Sequence, residues 1–135
     1  MSFRDEVNDA IAQVVAIRVL IQQSRPARPG EKPDEEKEKK KSEKIAESKR
    51  NLKDISQEKI DSIIALGQQS MPMEVDDVVH KLERLEFLLE DVAKGKDRKS
   101  NLKGVIDSLK NMPVLQNALL SIPSLTKLTS EPSLA

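Results

Sequence analysis

Val75-Asp76-Asp77-Val78-Val79-His80-Lys81-Leu82-Glu83-Arg84-Leu85-Glu86-Phe87-Leu88-Leu89-Glu90-Asp91-Val92 reads as one amphipathic helix, and it decides the fold. Val75, Val78, Leu82, Leu85, Leu89 and Val92 recur in steps of three and four residues. Such steps keep side chains on one helical face and favour packing against another helix. Upstream, Val7, Ala10, Val14, Ile17 and Ile21 repeat the pattern, and downstream Leu102, Val105, Leu109 and Met112 do so again. No segment alternates cleanly between apolar and polar residues, so no sheet is expected. The expected fold is all-α: four to five helices in a small bundle with coiled-coil-like heptad stripes.

Punctuation around the stripes sets the boundaries. Ser2 is placed to cap the first helix, with Asp5 as its capping-box partner, and that helix is expected to reach about Gln23. Ile11, Val15, Val19 and Leu20 widen its apolar face, which marks it as central to an assembly. Three prolines and a glycine between Arg25 and Pro33 forbid helix and sheet alike. From Asp34 to Lys44 there is no apolar residue, and Glu35–Lys39 and Glu36–Lys40 are helix-supporting pairs worth about 0.2–0.5 kcal/mol each. That stretch reads equally as a solvated helix or as disorder. Ser56 opens the next helix, with Ile60, Ile63, Ile64 and Leu66 on one face and Gly67 as its expected C′ residue. Pro72 starts the helix of the opening stretch and Gly95 ends it; Asp97 or Ser100 caps the following one. Pro113 opens a short helix, which Pro123 is expected to break. The organisation is thus an amphipathic helix (1–24), a Pro-rich linker (25–33), a charged helical or disordered segment (34–55), a helical bundle (56–122) and a flexible tail (123–135).

Composition narrows function. Of 135 residues two are Phe and none is Trp or Tyr, which makes the chain a poor candidate for a base-stacking platform or an aromatic ligand cage. The 23 basic and 23 acidic residues cancel, which argues against nucleic acid as a partner. The absence of cysteine removes thiolate chemistry and fits an intracellular, soluble chain, cytoplasmic or nuclear. The start of the chain has neither a secretory nor a mitochondrial leader pattern. Its most apolar stretch, Ala10 to Ile21, contains Gln13 and Arg18 and is shorter than the roughly twenty residues that span a bilayer. A membrane is therefore not an expected partner.

No group of residues promises catalysis. His80 is the only histidine and reads as an exposed helical residue beside Glu83 or Asp76 rather than a base or a metal ligand. Asp76 with Asp77, and Glu86 with Glu90, read as a solvated charged face. Lys39-Lys40-Lys41 is neutralised by Glu35, Glu36, Glu38 and Glu43, and Lys94, Lys96, Arg98 and Lys99 form a polar loop. Phosphate loops and hydrolase motifs are absent. No catalytic residue, cofactor, metal or small-molecule substrate is expected.

Val78, Lys81 and Leu82, then Leu109-Lys110-Asn111-Met112-Pro113-Val114 and Leu119-Leu120, loosely resemble the N-terminal helical domain of the transcription elongation factor TFIIS family over residues 75–128. The resemblance implies a helical bundle that docks disordered peptides. The basic and closing helices of that family are replaced here by Ser124-Leu125-Thr126-Lys127-Leu128-Thr129.

The stripes themselves imply a non-catalytic interaction or assembly subunit that binds a protein partner, either itself or another subunit, through apolar helix faces. The expected interface residues are Val7, Val14, Ile17, Ile21, Val78, Leu82, Leu85, Leu89, Leu115, Leu119 and Ile122. The alternatives are the peptide-docking bundle and, last, a peripheral membrane-binding protein.

Overall fold

A computed structural model describes residues 2–26, 30, 32 and 34–130. Among them are seven helices and no strand: α1 (Phe3–Gln23), α2 (Glu35–Asn51), α3 (Gln57–Gln69), α4 (Pro72–Ala93), α5 (Arg98–Lys110), α6 (Pro113–Leu119) and α7 (Pro123–Thr129). All-α is thus shown, and the helix count exceeds the expected four to five. The charged segment is helical from Glu35, with Asp34 capping it through a 3.0 Å bond from the Glu36 amide. Pro123 opens α7 rather than merely ending α6, because proline at the first helical position sacrifices no intrahelical bond. The expected flexible tail is therefore helical through Thr129 with Ser130 as its C-cap, and residues 131–135 lie outside the described residues.

α1 is the organising element, packing against α4, α2, α3 and α7. Its start is fixed by the expected capping box: the Asp5 amide donates to Ser2 Oγ at 3.2 Å, and the Ser2 amide donates to Asp5 Oδ2 at 3.4 Å. Val7, Ala10, Val14, Ala16, Ile17, Leu20 and Ile21 are all buried, so the broad apolar face is covered on several sides. Buried residues from α1, α3, α4, α5, α6 and α7, with Leu52 and Ile55 of the α2–α3 turn, form one continuous core. Each fully buried Leu or Ile contributes about 1.5–3 kcal/mol.

Two glycines shape the turns. Gly95, at φ 76, follows the Lys94 C-cap of α4. Its amide donates to the Val92 carbonyl at 3.1 Å and the Lys96 amide to the Asp91 carbonyl at 3.0 Å, the Schellman arrangement. Gly67 is not the C′ residue that its position implied. It lies inside α3, buried where that helix crosses α1, and a Cβ there would meet the Ile21 carbonyl oxygen at 2.6 Å. Only a hydrogen fits between the two backbones.

The linker contributes what its polar residues allow. Arg25 donates to Asp76 Oδ1 at 2.8 Å and to the Pro72 carbonyl at 3.2 Å, tying the end of α1 to the start of α4. The structure of Ala27, Arg28, Pro29, Glu31 and Pro33 lies outside the described residues.

Candidate functional site

The residues expected to face a partner are almost all in the chain's own core. Val7, Val14, Ile17, Ile21, Leu82, Leu85, Leu89, Leu115, Leu119 and Ile122 are buried. Val78 alone is half-buried. Along the first turns of α4 the core face runs Val75, Val79, Leu82, so Val79 takes the place that the heptad had given Val78. The apolar stripes do not need a second molecule to cover them in this fold. α7 supplies part of the missing cover, with Leu125 and Leu128 buried at its centre, and α2 lies along α1.

The polar residues read as a solvated face lie mostly at the surface. The His80 side chain is 79% exposed, with Nδ1 3.8 Å from Glu83. No cluster of potential metal ligands exists among the described residues. Glu86 departs from the solvated face assigned to it: its side chain is only 12% exposed and takes a two-pronged bond from Arg18, Nε to Oε2 at 2.6 Å and Nη2 to Oε1 at 3.1 Å. Those bonds hold the Arg18 pKa above its ordinary value, against the opposing effect of burial. The pair locks α1 to α4.

A second polar knot was not visible in the sequence. Gln13, buried on α1, donates to Asp9 Oδ2 at 3.1 Å and to Asp54 Oδ2 at 2.8 Å. Asp9 also accepts from Lys53 Nζ at 2.8 Å and from Ser124 Oγ at 2.9 Å. Burial pushes the Asp9 carboxyl upward, but the bonds from Lys53, Ser124 and Gln13 outweigh it and hold the pKa below the usual carboxylate value. The knot joins α1 to the α2–α3 turn and to α7. Its only signal in the sequence was the Asp9–Gln13 spacing of one helical turn.

What remains outside the core is informative. Met73, at 83% exposure, and Val114, at 68%, overhang one open cleft of about 490 Å3. Leu66 of α3, Val78 of α4, and Met112, Pro113 and Leu115 at the α5–α6 step line the rest of it. The cleft follows from local chemistry. Proline disfavours the helical conformation in the residue before it. Met112 accordingly has φ −126 and ψ 62, which breaks the chain between α5 and α6. The step stands across from the first turns of α4 and leaves a notch whose floor includes the buried Met112. Lys81 braces the wall: Nζ donates to the Asn111 carbonyl at 3.2 Å and lies 2.9 Å from Asp77 Oδ2. Glu74 and Asp77 add two carboxylates to the rim.

No protein-family model, curated protein or solved structure matches this chain. The site is therefore read from its own geometry. An open apolar notch with a few charges at its rim offers burial and orientation to another molecule. No helix among the described residues is long and apolar enough to cross a membrane.

Proposed function

We propose that this protein is a non-catalytic helical docking module that receives a segment of a partner protein in the cleft between α4 and the α5–α6 step. The observation that carries this reading is the pair Met73 and Val114, large apolar side chains left mostly in water on either side of one notch. Buried apolar anchors in such notches supply most of the affinity of protein interfaces. Assembly through the helix stripes is the weaker form of the same idea, because those stripes are occupied by the core. The TFIIS-like reading proposes the same class of activity, and Val78, Lys81, Met112, Pro113 and Val114, which carry that resemblance, all line the notch. The setting proposed is an intracellular one.

The test is selection of binding peptides from a displayed library, followed by mapping of the selected peptide on isotopically labelled protein. Residues around Met73, Val78 and Val114 are expected to shift, and Val114→Asp is expected to remove binding while leaving helicity intact. Selected peptides that map elsewhere and bind the variant unchanged would overturn the proposal.

A further inference from the structure

We infer that the occupant of the cleft is an amphipathic helix whose apolar stripe is flanked by a lysine or arginine that meets Glu74; the inference rests on the docking function proposed above. The first argument concerns the occupant's backbone. The cleft is walled by helix ends and side chains, and no strand exists among the described residues to pair with an extended chain. An extended segment laid on an apolar floor leaves peptide groups without partners, whereas a helix satisfies its own.

The second argument is charge. Among the described residues Lys81 is the one cation lining the cleft, and it is already committed to Asp77 and to the Asn111 carbonyl. Glu74 takes part in no ion pair or side-chain hydrogen bond among the described residues. The lining is left with one uncompensated carboxylate, which attracts a cation and repels an acid. Met73 and Met112 are flexible and polarisable, so they adapt to different anchors and leave discrimination to the charge.

The experiment compares two fluorescent helical peptides of about fourteen residues, long enough to be helical when bound. Each carries one leucine stripe in an alanine–glutamine background, flanked by two lysines in one peptide and two glutamates in the other. The lysine peptide is expected to bind the full chain about fivefold tighter at low salt, and the difference to vanish at about 1 M salt. Glu74→Lys is expected to reverse the order. Val114→Asp is expected to weaken both peptides although it adds negative charge, which separates docking from adhesion of a cation to an acidic surface. Equal binding of both peptides, or a lysine preference that survives Glu74→Lys, overturns the charge assignment and leaves the docking function standing. Binding of neither peptide overturns the helical occupant, and the library selection described above then decides the docking function.

Discussion

The two ends of α4 carry the same apolar spacing and meet different fates. From Leu82 to Val92 its inward face is covered: Leu82, Leu85, Leu89 and Val92 are buried, and Glu86 is clamped by Arg18 of α1. In its first turns Val75 and Val79 still face the core, yet Met73 stands in water and Val78 is only half-covered. Arg25 ties α1 to the start of α4 and Arg18 ties it to Glu86, while the α5–α6 step leaves the notch beside Met73 and Val78 open. Periodicity therefore reports which face of a helix is apolar. Whether that face is closed by the same chain depends on where the neighbouring helices end.

The sharpest way to test this contrast is to damage the covered end. Leu85→Ala removes side-chain volume at a fully buried position, and the expected loss is about 2–5 kcal/mol by chemical denaturation. A loss below about 1 kcal/mol would mean that the site is not core. Next comes the crossing that holds α3 against α1. Gly67→Ala sets a Cβ 2.6 Å from the Ile21 carbonyl oxygen, so the two backbones must separate, at a cost of about 1–3 kcal/mol read as a lower Tm.

The polar knot gives a pH signature. The Asp9 carboxyl has a lower pKa folded than unfolded, so the unfolded chain binds more protons and stability rises with pH through that range. Its contribution is present above the unfolded value of about 3.9 and is lost as pH falls through the folded value. Asp9→Asn is therefore expected to flatten the acid limb of the stability curve below about pH 4, measured by urea unfolding at stepped pH. An unchanged acid limb would show that the knot does not form. The smallest effect belongs to the open end. Met73→Asp is expected to change stability by no more than about 0.5 kcal/mol, because its side chain is 83% exposed.

Much of the helical layout was legible because single residues mark its joints. Ser2 with Asp5, Ser56, Pro72, Gly95 and Pro113 each do a local job, and each local expectation was met. The segment after Pro123 and the place of Gly67 depart from expectation because the roles of proline and glycine depend on context. A proline after a short helix can end it or begin another, and a glycine near a helix end can be a cap or a contact. The Arg18–Glu86 pair joins residues 68 apart in the chain, a separation no local pattern reports. The cleft was legible only in part. Val78 was singled out through its stripe, whereas Met73 and Val114 sit beside prolines at helix starts, where nothing in the spacing says that they stay exposed.

The central claim is that one chain closes its own apolar stripes and leaves the notch between α4 and the α5–α6 step open to a partner. Light scattering on the purified chain across a wide concentration range, with circular dichroism on the same samples, tests it most directly. The account predicts a mass near 15.1 kDa with full helicity at every concentration. A mass of two or more chains that persists on dilution, or helicity that appears only as chains associate, would contradict it.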